Sequence, residues 1–183
     1  SVARAIIELP IGTNIARSKG MQKAKPVTKA VVKGQVHRYL SYREAWARIK
    51  EAQDKGFFLE AVAIAESIMA DRFDSYLLSK DAKPPKPYMP FKSKAKKATG
   101  LQAAPISIMG FEDLLGAVMA WADDRNAAVH GIVGKRKGAK APIERSLIDA
   151  QDAATRGARL ARAVSSWVAA EERVTNKKRG SNG

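Results

Sequence analysis

Residues 57–79 read FFLEAVAIAESIMADRFDSYLLS, and this stretch decides the fold class. Phe58, Val62, Ala65, Met69, Phe73 and Tyr76 recur at steps of three and four, the spacing that gathers side chains on one face of an α-helix. The face is wide and the helix long, so it has to pack against several neighbours. Glu66 lies beside that face, one turn after Val62. A carboxylate there is either half-exposed or paired with a cation from another helix.

Upstream, SYREAW places Ser41 as a helix N-cap with Glu44 three residues later, the capping-box spacing. Tyr42, Ala45, Trp46 and Ile49 follow at helical intervals, which predicts a helix over 42–54. Gly56 suits a left-handed C-terminal cap. Before Ser41, the chain divides into an apolar opening, SVARAIIELPIG, and a stretch carrying Arg17, Lys19, Lys23, Lys25, Lys29, Lys33 and Arg38 without an acid. Its apolar residues hold neither helical nor strand spacing, so residues 1–40 are expected to form a mobile basic arm. His37 within it carries no evident chemistry.

Downstream, residues 80–105 break the helical period. Pro84, Pro85, Pro87 and Pro90 oppose regular helix, and the lysines Lys92, Lys94, Lys96 and Lys97 make the segment a candidate nucleic-acid contact. Tyr88 and Phe91 alternate with lysines; they either stack on bases or pin the loop to the bundle. A third helix is predicted from about Gly110 to His130, with Phe111, Leu114, Leu115, Val118, Met119 and Ala122 as its buried stripe. The basic loop GIVGKRKGAKAP follows, and its Lys135, Arg136, Lys137 and Lys140 are further nucleic-acid candidates. Pro142 is placed for the first turn of a fourth helix over 143–173. There Ile143, Leu147, Ala150, Ala154, Ala161, Val164 and Val168 keep the period, while Arg156, Arg159 and Arg162 at threefold steps suggest a basic ridge. Residues 174–183 read as a disordered basic tail. Four helices with a Pro/Lys-rich insertion predict an all-α bundle occupying residues 41–173.

Composition narrows the partners. The chain has 183 residues, and 33 Lys and Arg against 18 Asp and Glu give a formal charge of +15. A surplus of this size favours a polyanion, because neutralising phosphates releases condensed counterions. Cysteine is absent, which excludes disulfides, thiolate metal sites and cysteine nucleophiles. Two histidines distant in sequence do not make a zinc site, so neither metal nor cofactor is expected. With no apolar run near the ~20 residues that span a bilayer, a cytoplasmic protein without a membrane role is expected.

The chemistry-bearing stretch is WADDRNAAVHGIVG, residues 121–134. On a helix that persists to His130, Asn126 and His130 lie on one face, about 40° apart at ~100° per residue. The long Arg125 side chain is able to swing toward the same mouth, Val129 anchors the turn, and Gly131 is expected to end the helix. Histidine titrates near neutrality and moves protons in phosphodiester cleavage. Arginine binds phosphate and stabilises developing charge. Asparagine orients the imidazole or bonds a 2′-hydroxyl.

Arg-Asn-x-x-x-His at the end of an amphipathic helix, in a small all-α chain, resembles the HEPN superfamily. The resemblance spans roughly residues 41–173, including the long helix with Glu66. It implies a four- or five-helix bundle that dimerises and brings two motifs together. It further implies a metal-independent endoribonuclease, active as a toxin, in phage defence or in RNA processing. On that pattern Arg125 is the phosphate ligand, His130 the acid or base and Asn126 the orienting group. Glu66 is a supporting ion-pair partner of Arg125. The expected partners are RNA, a second copy of the chain and, in the toxin case, an antitoxin. The alternative is a non-catalytic nucleic-acid-binding protein on the same bundle, with His130 merely capping a helix end where a cation is favoured.

Overall fold

The computed structural model describes residues 29–80, 89–133 and 143–181. The protein is all-α. Its helices are α1 (Lys29–Asp54), α2 (Phe58–Ser79), α3 (Phe91–Thr99), α4 (Leu114–Val133) and α5 (Ile143–Ser181). Among the described residues there is no strand, and no helix is long and apolar enough to cross a membrane.

The expected boundaries moved at several places, each for a local reason. Residues 29–40, assigned to the basic arm, belong to α1, so Ser41 lies inside a helix and its capping box does not operate. The rest of the arm, residues 1–28, lies outside the described residues. At the other end of α1 the expectation for Gly56 holds: its φ is +78°. Phe57 N donates to Ala52 O at 2.7 Å and Gly56 N to Gln53 O at 3.2 Å, the paired bonds of a Schellman cap.

The lysine-rich segment is not all loop, because α3 starts directly after Pro90. A proline disrupts helix on its N-terminal side, and beyond the last proline nothing opposes FKSKAKKAT. Phe91, Ala95 and Ala98 then form a buried helical face. Phe91 is pinned between Phe73 and Trp121, with centroids 5.9 Å from each. Of its two readings, the core anchor is the correct one. Tyr88 lies outside the described residues.

α4 begins four residues later than expected. Met109 (φ 51°) and Gly110 (φ 80°) form a tight turn closed by reciprocal 2.9 Å bonds between Ile108 and Phe111, and a helix does not pass through such a turn. Asp113 Oδ1 then accepts from Gly116 N at 3.0 Å and caps the first turn. α5 continues to Ser181, so most of the expected tail is helix.

The core lies where α2 and α4 pack on α5, with α1 against α2 and α3 bridging α2 to α4. Tyr76 packs against Trp167 with tilted rings, and Lys80 pairs with Glu171, while Phe58 and Leu59 line one groove with Leu147 and Ala150. α2 and α5 therefore run parallel. α4 runs opposite to both: Trp121 meets Ala153 and Gly157, whereas Gly131 meets Ser146. Trp121 is fully buried, a burial that contributes about 1.5–3 kcal/mol or more for so large a ring. Its Nε1 donates to Ala153 O at 2.8 Å. Gly157 makes room for it, since a Cβ there would stand 2.7 Å from Trp121 Cζ2. This joint sets α4 on α5 one turn before Arg125.

Candidate active site

The core-facing line of α4 runs through Leu114, Val118, Trp121 and Ala122, all buried. Seven residues after Val118 the same line reaches Arg125. A charge on that line loses part of its hydration, and a hydrogen-bond acceptor beside it offsets the loss. Glu66 supplies it from α2: Arg125 Nη2 donates to Glu66 Oε1, with the two side chains 21% and 25% exposed. The supporting ion pair expected between these residues is present. Arg125 Nη1 donates to Asn126 Oδ1 at 2.8 Å. Arg125 Nε is buried and has no hydrogen-bond partner among the described residues. Burial pushes the Glu66 carboxyl above its ordinary range, and the charge of Arg125 opposes that shift.

Arg125 is thus not a free cation swinging toward solvent. Both of its terminal nitrogens are engaged inside the protein. Asn126 is half-buried beside it, and His130, one turn further along α4, is exposed. Two local expectations need correction. α4 does not stop at Gly131 but runs to Val133. At Gly131, Ser146 Oγ donates to the backbone carbonyl at 3.3 Å, and a Cβ would meet that hydroxyl at 3.4 Å, an ordinary contact. Ala128 rather than Val129 takes the fully buried place in this turn, Val129 being half-buried.

Because α2 and α5 run parallel and α4 opposite, the start of α2, the end of α4 and the start of α5 share one end of the bundle. His130 sits at that end. So do Phe57, Ile143, Leu147 and Ile148, which are 56%, 62%, 45% and 51% exposed. The helical period had put Ile143 and Leu147 in a buried stripe with Ala150, Ala154, Ala161, Val164 and Val168. The last five are buried, and the first two are not. Periodicity reports that a residue faces the core side of its helix, but not whether another helix reaches that far. A groove of about 370 Å³ opens here between the α1–α2 turn and α5.

The basic candidates divide. Lys92 pairs with Asp123 at 2.7 Å and Lys94 with Asp74, so both are partly neutralised within the fold. Lys96 is exposed on α3, and Lys97 is half-buried beside it. Lys135, Arg136, Lys137 and Lys140 lie outside the described residues. Arg156, Arg159 and Arg162 lie at threefold steps along α5, and each meets a different neighbour. Arg156 pairs with Asp124 at 2.7 Å, Arg159 lies over Phe111, and Arg162 over Trp46. Among the described residues, no group of three or more His, Asp or Glu side chains is placed to hold a metal ion. No family model matches the chain, and neither does any curated protein or solved structure.

Proposed function

We propose that the chain is an endoribonuclease of HEPN type that works as a homodimer. The observation carrying this reading is the arrangement at the end of α4: His130 exposed one turn beyond an Asn126 that Arg125 and Glu66 hold in place. A buried-side arginine that spends its hydrogen bonds on orienting an amide next to an exposed imidazole suits a reaction site better than a simple helix end. In the reaction, His130 takes the proton of a ribose 2′-hydroxyl as that oxygen attacks the adjacent phosphorus. The bond to the 5′-oxygen breaks, that oxygen gains a proton, and the ends left are a 2′,3′-cyclic phosphate and a 5′-hydroxyl.

One His130 does not serve as base and acid at once, so a second copy is part of the proposal. The uncovered apolar start of α5, at the same end as His130, supports pairing there. A net charge of +15 supports an RNA substrate, met in the cytoplasm. It also suits an acidic protein partner that restrains a toxin or a phage-defence nuclease.

The test is cleavage of single-stranded RNA with end-group analysis, beside sedimentation of the full chain. His130→Ala is expected to lower kcat at least ~10³-fold, about 4 kcal/mol of barrier, at unchanged helix content. Wild type and His130→Ala cutting equally well would sink the catalytic assignment. Salt-dependent binding without any cleavage would favour the non-catalytic nucleic-acid-binding reading instead.

A further inference from the structure

On the ribonuclease reading, we infer that Arg125 is a positioning residue rather than the phosphate ligand, and that the Asn126 side-chain amide makes the contact with the reacting phosphate. The inference rests on the proposed function and reassigns two roles within it.

The guanidinium is donor-only, so whichever atom of Asn126 faces it has to be the carbonyl oxygen. Arg125 Nη1 to Asn126 Oδ1 at 2.8 Å is that contact. It fixes the amide's polarity, with Oδ1 toward Arg125 and the two Nδ2 hydrogens turned away. Among the described residues no hydrogen bond occupies Asn126 Nδ2 or the His130 ring, and helical geometry sets the two positions about 40° apart around α4. Together they offer an anion one neutral two-hydrogen donor and one proton-transfer group. Arg125 offers much less. Its Nε edge is buried, which closes one of the forks by which arginine grips a phosphate. Its terminal nitrogens already bond Glu66 and Asn126, and its side chain is only 21% exposed. The run Glu66, Arg125, Asn126 therefore has a direction. The carboxylate holds the guanidinium, and the guanidinium holds the amide that meets substrate.

Counterion release separates a cation that touches phosphate from one that does not. Each phosphate contact on a single strand contributes about 0.7 to the slope of log binding constant against log salt. The experiment measures that slope on the 2′-deoxy version of a strand the wild type cleaves, alongside kcat and KM on the RNA. Asn126→Ala is expected to lower kcat on the order of 10²-fold, the usual cost of losing one donor to a developing oxyanion. Arg125→Gln is expected to lower kcat similarly and leave the salt slope unchanged. Glu66→Ala keeps every cation and guards against a misfolded Arg125 variant. It is expected to lower kcat about tenfold with binding unaltered, and Glu66→Gln, which still accepts from Arg125, to restore most of the activity.

A slope that falls by about 0.7 in Arg125→Gln overturns the inference and leaves the ribonuclease reading standing. So does tighter binding with a steeper slope in Glu66→Ala, because releasing Arg125 would then have freed a phosphate ligand. A wild type that cleaves no RNA removes both, and is recognised before any variant is made.

Discussion

The two ends of the α4–α5 pair are built differently. At the Trp121 end the helices are in dry contact: an indole lies in the space left by Gly157, bonded to Ala153 O and edge-on to Phe91. At the Arg125–His130 end, α4 carries an ion pair to Glu66 of α2, an anchored amide and an exposed imidazole, while α5 carries uncovered isoleucines and leucine. One end supplies stability and a fixed register, and the other keeps polar groups and apolar surface available. The closed end positions the open one, since α4 is locked one turn before Arg125. Rigid support next to an accessible constellation is what a reaction site requires.

The contrast predicts a separation of effects. Gly157→Ala places a methyl against the Trp121 ring, and neither a buried indole nor two packed helices yield easily. A loss of about 1–3 kcal/mol is expected, read as a lower midpoint in denaturant melts. A midpoint equal to wild type would mean that the joint is loose. At the open end, Leu147→Glu is expected to leave the melt of the monomer within about 0.5 kcal/mol, because the side chain is 45% exposed. On the proposed homodimer, its effect should fall on association, weakening it about tenfold in sedimentation equilibrium, or about 1.4 kcal/mol. An unchanged dimer would move the interface elsewhere.

Glu66 gives a smaller, pH-dependent effect. Burial holds its folded-state pKa above the unfolded one. Its contribution to stability is therefore fully present below the unfolded value and is lost as pH rises through the folded value. Glu66→Gln, which stays neutral, is expected to melt at or slightly above wild type at neutral pH. The difference should close as the pH drops below the ordinary carboxylate range. A gap that widens in acid would contradict the direction of the shift. Smallest is Arg156→Ala. Its pair with Asp124 is 42% and 57% exposed, and breaking it should cost less than about 1 kcal/mol in a thermal melt.

Much of the fold was legible where one helix face is continuously apolar. Phe58 to Tyr76 marked α2 to within a residue, and Gly56 marked the turn before it. α3 was hidden by its neighbours, since prolines dominate a composition reading while Phe91, Ala95 and Ala98 supply a face only three residues wide. The start of α4 was missed because Met109 adopts a left-handed conformation that its residue type does not advertise. The extra length of α1 escaped notice because lysines interrupt the apolar spacing there. For the site, spacing placed Asn126 and His130 on one face, and the family resemblance suggested Glu66 as a partner for Arg125. It did not show that Arg125 would be occupied on two sides.

What the sequence alone determined is local. Periodicity made the chain all-α, and the Arg-Asn-x-x-x-His spacing grouped three polar side chains near a helix end, because a helix ties sequence distance to angle. Only the tertiary structure decided which neighbours those helices meet. It turned Arg125 inward onto Glu66, closed the core over Trp121 and left Ile143 and Leu147 uncovered. Those outcomes depend on where α2, α4 and α5 stop relative to one another, and no period within a single helix carries that information.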